Sequence, residues 1–224
     1  VLAQAACPLA LWAGDLEAAE RYVTMLRTHT AMHVLGVWRV YADCFEGELL
    51  LRKGESERGL GLLRGGVDEL RRTGFVQYQT AFQTALARAL IARGETAEAR
   101  ALIEEALERC RRTGEGFRLA ELERTRGEIA LKEEGSEAAE TAFRRALDIA
   151  RAQGVLMWEL RAAVSLARLW RERRTPEGRE SARELLASVY GRFSEGFETA
   201  DMCAAASLLG ELGEPVRAVS RFDI

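Results

Sequence analysis

The stretch from Gly59 to Gly66, GLGLLRGG, places four glycines within eight residues. Glycine-rich loops of this kind bind phosphate groups, because backbone N–H groups without bulky side chains can approach the ligand closely. The chain contains no GxxxxGK[ST] sequence, so the lysine and hydroxyl that complete such a phosphate site are missing. The periodicity described below predicts a helix over this stretch and not a nucleotide-binding loop.

The only histidines, His29 and His33, have the i, i+4 spacing that places two side chains on one face of a helix. A catalytic zinc site needs a third ligand and a general base. The intervening residues Thr30, Ala31 and Met32 do not fit the HExxH pattern. We therefore expect no metal site here.

Paired carboxylates are common in the sequence, for example Glu104 with Glu105 and Glu133 with Glu134. Adjacent residues of a helix point in different directions, so such pairs are typical of solvated faces and not of acid/base catalysis. Two histidines in one linker form no Ser/His/Asp or Cys/His group. We expect no catalytic residues, no cofactor and no enzymatic activity.

Charge and composition restrict the partners. The formal net charge of −3 and the isoelectric point near 5.7 provide no basic field, so we expect no binding to nucleic acid or membrane.

The apolar run VLAQAACPLALWAG lacks a basic leader and is too short to span a bilayer, and we expect the chain to be a fragment of a larger protein. The four cysteines form no CxxC pair and are expected to be buried free thiols in the cytoplasm: Cys7, Cys44, Cys110 and Cys203.

An internal repeat organises the chain. Glycines recur in the phrases WAGDLEAAE, RKGESERGL, ARGETAEAR and EEGSEAAET at spacings of 40, 40 and 41 residues. A second series consists of RRTG, RRTG, RAQG and, more loosely, FSEG. Between the two series, apolar residues recur at i, i+3, i+4 and i+7, which is the period of a helix and not of a strand.

Each repeat is predicted to be two helices joined by a tight turn, with glycine ending the first helix and Ser56, Thr96 or Ser136 capping the second. The predicted pairs cover residues 1-29, 33-73, 77-113, 118-153 and 157-192, followed by a closing helix near 200-212. The fold class is therefore all-α, an α-solenoid of about five helix pairs plus a C-terminal capping helix. We expect one repeat domain over residues 1-212 and a tail over residues 213-224 that can be disordered.

Small residues mark the positions where the helices of a pair approach each other. In the first helices this position holds Gly47, Ala87, Gly127 and Ala167. The second helices have three such positions. A small residue stands at the first: Ala19, Gly59, Ala99, Ala139 and Ala182. Four residues later comes a large apolar residue, Val23, Leu63, Ile103, Phe143 or Leu186, and three residues after that a small or apolar one, Leu26, Gly66, Ala106, Ala146 or Val189. Only Gly61 and Gly65 then lack a packing reason, and we expect their helix to be the least stable.

This small-large-small pattern resembles the tetratricopeptide repeat (TPR), although the units here are near 40 residues long and not 34. The segments ACPLALWAGDLEAAERYV, WELRAAVSLARLW and ARELLASVYGRFSEGFETADM also resemble the terminal repeats of large bacterial predicted-ATPase regulators of the AAA/STAND type. In that family, a winged-helix or nucleotide-cyclase domain and the ATPase precede the array. The resemblance implies a signalling or transcription regulator whose array docks or senses something.

By the resemblance to the tetratricopeptide repeat, the first helices build the inner wall of the array. The positions near the small residue of each first helix then face the ligand. Carried over to this sequence, these positions are Tyr41, Glu48, Thr84, Arg88, Glu121, Arg124, Glu128, Arg161 and Arg168. Two hypotheses remain open for the arginines. Their planar guanidinium groups suit a carboxylate or phosphate ligand, or they pair with Glu121, Glu128 and Glu159 across adjacent repeats.

The favoured hypothesis is a non-catalytic protein-interaction scaffold whose concave groove takes a partner protein, a peptide or a neighbouring domain of the same polypeptide. The alternative is an array that senses a small-molecule inducer and controls an upstream ATPase. The four tryptophans are expected to pack in the core or between repeats: Trp12, Trp38, Trp158 and Trp170. The sequence leaves the partner, the upstream effector domain and the oligomeric state open.

Overall fold

The structure of the chain is a computed structural model that describes residues 1–33 and 36–214. Within these residues every regular element is a helix, which confirms the predicted all-α class. The chain divides into two compact units, Val1–Gly114 and Glu115–Ile224. Most of the predicted tail, residues 215–224, lies outside the described residues.

The first unit contains three helix pairs, and a π-helical turn, Leu2–Ala6, leads into the first helix. Short turns join the two helices of each pair, so the two run antiparallel. The helices are α1 (Cys7–Ala13), α2 (Leu16–Met32), α3 (Gly36–Arg52), α4 (Ser56–Thr73), α5 (Gln79–Arg93) and α6 (Thr96–Thr113).

The second unit contains two further pairs and a closing helix. The first helices of these two pairs, α7 and α9, contact each other, and the closing helix α11 contacts both helices of the last pair, α9 and α10. The helices are α7 (Leu119–Glu133), α8 (Ser136–Gln153), α9 (Leu156–Glu172), α10 (Pro176–Tyr190) and α11 (Ala200–Leu212).

The glycine turns have the predicted geometry, but the helix caps do not. Gly54 and Gly94 have φ angles of 87° and 82°, a region in which a Cβ would clash with the backbone. Because one more residue follows each of these glycines before the helix begins, Glu55 and Glu95 occupy the N-cap positions of α4 and α6. The prediction that Ser56, Thr96 and Ser136 cap these helices was therefore wrong: each is the first helical residue, and the cap residue before it makes no side-chain cap hydrogen bond.

The core confirms the pattern of small and large positions. All residues predicted at the three second-helix positions are buried, as are the small residues of the first helices. A Cβ added at Gly59 would lie 2.8 Å from the Gly47 carbonyl oxygen, and one at Gly47 would lie 2.9 Å from the Gly59 carbonyl oxygen. At Gly61 and Gly65, by contrast, an added Cβ would have no neighbour within 4 Å.

Cysteine and tryptophan burial partly follows the expectations. Cys7, Cys44 and Cys110 are buried free thiols, but Cys203 is exposed, so the expectation of burial was wrong there. The reason is that α11 turns Met202 and Ala205 toward the core and leaves Cys203 on its outer side. Trp158 and Trp170 are buried as expected, whereas Trp12 and Trp38 are partly exposed.

The two kinds of glycine in α4 are expected to respond oppositely to alanine. Gly65→Ala removes the backbone entropy cost of glycine without a steric conflict and should raise the free energy of unfolding by about 1 kcal/mol. Gly59→Ala forces a methyl group against the α3 backbone and should lower it by about 1–3 kcal/mol. Urea unfolding followed by circular dichroism measures both, and a shift of the two variants in the same direction would contradict the packing assignment.

Candidate functional site

Two of the predicted ligand-facing positions of the first unit are buried. Tyr41 and Thr84 are buried and bonded within the chain. The Tyr41 hydroxyl donates to the Gln77 carbonyl oxygen at 2.8 Å, and its ring meets the edge of Tyr78 at a centroid distance of 5.9 Å. These two positions therefore stabilise the first-helix face and are not accessible to a partner.

One repeat position remains at the surface in both units. It follows the small residue of each first helix and alternates in charge: Glu48, Arg88, Glu128 and Arg168. Glu48 pairs with Arg52 at 2.7 Å, and Glu128 pairs with Arg124 at 2.5 Å. Arg88 and Arg168 are exposed, and neither has an ion pair or hydrogen bond within the described residues.

Arg124 lies at the centre of a buried ionic group on α7. Its Nε and Nη2 donate to the two carboxylate oxygens of Glu121 at 2.8 and 2.9 Å, and its Nη1 donates to Glu128. The Arg124 side chain is only 7% exposed and that of Glu121 only 3%. Burial lowers the pKa of Arg124, but the charges of Glu121 and Glu128 outweigh this effect and raise it well above its usual value.

A second repeat position links the first helices of the second unit. Glu121 of α7, Arg161 of α9 and Asp201 of α11 follow each other at intervals of 40 residues. Arg161 forms ion pairs with Asp201 at 2.7 Å and with Glu121 at 3.5 Å. Opposite charges at one repeat position thus join three successive first helices.

The Arg161 guanidinium also stacks on an aromatic side chain. It lies 5.0 Å from the centre of the Trp158 ring, and Arg118 lies 5.7 Å from the same ring. Burial lowers the pKa of Arg161, while Glu121 and Asp201 raise it by more, so this cation stays charged. In the second unit, Arg124 and Arg161 are therefore held by groups of the chain itself, whereas Arg168 is not.

The sequence interpretation missed Asp201 and Ser165, although both lie at repeat distances. Asp201 stands 40 residues after Arg161, and Ser165, which accepts from Arg124 Nη1 at 3.3 Å, stands 40 after Thr125. Extending the repeat alignment into the closing helix would have found Asp201. Glu159, proposed as a partner of the row of arginines, instead pairs with Arg151 and Arg192.

Comparison with known proteins agrees with this architecture. Residues 79–152 match the tetratricopeptide repeat family. The nearly identical TPR-like repeats of a kinesin-light-chain-like protein of Podosopora anserina, in a single-residue variant, align over 83% of this chain and 90% of theirs, with a TM-score of 0.57 at 18% identity. BtubC (BKLC) of P. vanneervenii aligns over 95% of this chain and 96% of its own, with a TM-score of 0.55 at 15% identity.

These likenesses establish the TPR-like solenoid fold class that the sequence predicts, and at such low identities they establish the fold alone. No curated protein matches the chain in sequence. None of the described helices combines the length with the apolar character that a membrane crossing requires. Within residues 1–33 and 36–214, no three His, Cys, Asp or Glu side chains come together as metal ligands.

The first TPR-like unit also has two open cavities along α3. One of about 520 Å³ lies between α2 and α3, and one of about 510 Å³ lies between α3 and α4. Arg39 and Asp43 line both, and Gly61 and Gly65 line the second. Burial raises the pKa of Asp43, and the charges of Arg27 and Arg39 offset only part of this rise.

Arg124→Ala is expected to destabilise the second unit strongly. It leaves the buried Glu121 carboxylate and its neighbour Glu128 without their main cation, which costs about 3–5 kcal/mol. The matched control is Arg111→Ala, which removes an exposed pair with Glu108 and should cost less than about 1 kcal/mol. Chemical unfolding measures both, and equal effects of the two substitutions would contradict the central role of Arg124.

Proposed function

We propose that the chain is a protein-interaction scaffold whose first-helix faces bind a partner protein, a peptide or a neighbouring domain of the same polypeptide. It serves as the TPR-like region of a bacterial multidomain signalling or transcription regulator. One observation carries the proposal: Arg88 and Arg168 are exposed on first helices without an intramolecular ion pair among the described residues. Both occupy the position next to the small residue of the pair.

The surroundings of these arginines favour recognition of a carboxylate. A guanidinium group binds a carboxylate in a bidentate geometry, and a charge-assisted hydrogen bond of this kind contributes about 1.5–3 kcal/mol. The helices beneath are held by packing at Ala87 and Ala167, which are both fully buried. A partner therefore meets a rigid surface and loses little affinity to ordering of the scaffold.

Peptides selected against the purified chain by phage display test this function. We expect recovered peptides to carry acidic residues and to bind at least about tenfold more weakly to Arg88→Ala or Arg168→Ala, because one charge-assisted contact is lost. Arg112→Ala is the matched control, since Arg112 is equally an exposed arginine but lies on the second helix α6. Isothermal titration calorimetry measures the affinities.

Two outcomes would contradict the scaffold proposal. One is a selection that yields no peptide above background. The other is a set of peptides that bind Arg88→Ala and Arg168→Ala as tightly as the wild-type chain, which would place recognition away from these first-helix positions.

A second candidate function is the sensing of a small-molecule inducer, and the cavities along α3 favour it. Their volumes fall within the range of ligand pockets, and Arg39 and Asp43 offer opposite charges to both. These groups suit a small polar molecule that carries both an anionic and a cationic or amide group. The array would then respond to this ligand and not to a peptide.

A thermal-shift screen with free amino acids and small carboxylates tests the sensor function. A ligand present at about 100 times its dissociation constant stabilises the folded chain by about 2.7 kcal/mol and raises the melting temperature. Gly61→Leu, which fills open space in the second cavity, should abolish this shift while leaving the peptide affinities unchanged. A screen without any shift, or a shift that persists in Gly61→Leu, would count against this cavity as a sensor site.

A further inference from the structure

The third helix pair contains an occupied counterpart of the cavity between α3 and α4. Asp43 of α3 and Glu69 of α4 line this cavity. The residues 40 positions later are Gln83 of α5 and Arg109 of α6. A comparison of the two pairs therefore shows which chemistry suits this position of the repeat.

In the third pair, a guanidinium group fills the position. Arg109 Nη2 donates to Gln83 Oε1 at 3.0 Å and also to the Thr80 hydroxyl oxygen. Arg109 is only 7% exposed, and Gln83 is completely buried. The repeat thus accommodates a guanidinium between its two helices, where side-chain oxygens of the first helix accept its hydrogen bonds.

The second pair lacks this guanidinium. Glu69 stands in place of Arg109, and its carboxylate accepts from Arg72 Nε of the same helix at 2.8 Å. Asp43, the counterpart of Gln83, makes neither an ion pair nor a hydrogen bond within the described residues. An open cavity of about 510 Å³ thus occurs in the pair whose own sequence does not supply the cation.

A glycine of α4 contributes to the open space. The repeat position of Gly65 holds Glu105 in α6, whose carboxylate accepts from Arg71 Nε of α4 at 3.1 Å. A Cβ added at Gly65 would meet no atom within 4 Å, so packing does not require a glycine there. Because glycine costs a helix about 1 kcal/mol relative to alanine, its presence in the cavity lining is better explained by a bound molecule that needs the room.

The charges of the lining indicate a ligand with two charged ends. Arg39 and Asp43 lie one helical turn apart on α3, with about 6 Å between their Cβ atoms, and Arg39 also has no ion pair or hydrogen bond within the described residues. Burial raises the pKa of Asp43, and the charges of Arg27 and Arg39 offset only part of this rise. A further cation beside Asp43 would therefore stabilise its carboxylate.

We propose that the cavity between α3 and α4 binds a small molecule that carries a guanidinium and a carboxylate group, as free L-arginine does. The ligand guanidinium donates to the Asp43 carboxylate, as Arg109 donates to Gln83 in the third pair. The ligand carboxylate accepts from the Arg39 guanidinium. This assignment rests on the sensor function proposed above, because it names the ligand class of the same cavity.

Isothermal titration calorimetry of the complete chain with L-arginine, citrulline and agmatine tests the assignment. Citrulline has a neutral urea group in place of the guanidinium, and agmatine lacks the carboxylate. Each should bind at least about tenfold more weakly than L-arginine, because one charge-assisted contact is lost. Agmatine binding as tightly as L-arginine would show that a guanidinium from any source suffices, for example an arginine side chain of a protein, and would overturn the small-molecule assignment.

Two substitutions locate the contacts. Asp43→Asn should weaken L-arginine at least about tenfold and remove its advantage over citrulline, and Arg39→Ala should remove its advantage over agmatine. Asp148→Asn is the matched control, because Asp148 is an exposed aspartate of α8 in the second unit. Its affinity for L-arginine should equal that of the wild-type chain.

Glu69→Arg copies the third pair into the second. Its guanidinium should occupy the cavity, abolish binding of L-arginine and raise the melting temperature of the unliganded chain. Tight L-arginine binding by Glu69→Arg, or by Asp43→Asn, overturns the proposal. If L-arginine fails to bind while another amino acid raises the melting temperature, the guanidinium assignment is wrong and the sensor function stands. If no compound binds, both are wrong.

Discussion

The close approach of the two helices within a pair is the constraint on which the rest of the structure depends. At Gly47 and Gly59 the backbones of α3 and α4 come so near that neither residue can carry a Cβ without meeting the other's carbonyl oxygen at less than 3 Å. The neighbouring large residue, Leu63, can then pack fully into the pair, where it is completely buried. The later pairs place a glycine or alanine at the same positions, for example Ala87 with Ala99 and Gly127 with Ala139, so the 40-residue period is visible in the small residues.

This rigid packing determines which side chains remain free for recognition. In the second unit, Glu121, Arg161 and Asp201 neutralise one another along a single repeat position, and Arg124 is held inside its own helix. The charged face is therefore largely satisfied before any partner arrives. For the scaffold that we propose, selectivity would come from the repeat position of Arg168, which stays unpaired among the described residues. The same logic applies to Arg88 in the first unit.

Features of the fold that depend on contacts within one repeat could be predicted from the sequence, whereas features that depend on contacts between repeats could not. The helix pairs and their buried small residues were predictable because glycine turns and the spacing of apolar residues act within one repeat. The exact helix ends were not: the predicted cap residues are the first helical residues, and α2 continues to Met32, beyond the predicted end at residue 29. The burial of Tyr41 was not, since it depends on rings contributed by the next pair, Tyr78 and Phe82. The pairing of Arg124 with Glu121 and Glu128 was visible as i, i+3 and i, i+4 spacing, but the sequence alone could not show that the pair is buried.

Hydrogen exchange across the glycine-rich stretch tests the central claim, that GLGLLRGG is a helix packed through Gly59 and Gly66, most directly. Amides of residues 59–66 are expected to be protected, because the stretch lies inside α4. They should nevertheless exchange faster than residues 99–110 of α6, since Gly61 and Gly65 each cost about 1 kcal/mol relative to alanine. Exchange at the rate of an unfolded loop, or protection equal to that of residues 99–110, would contradict the account.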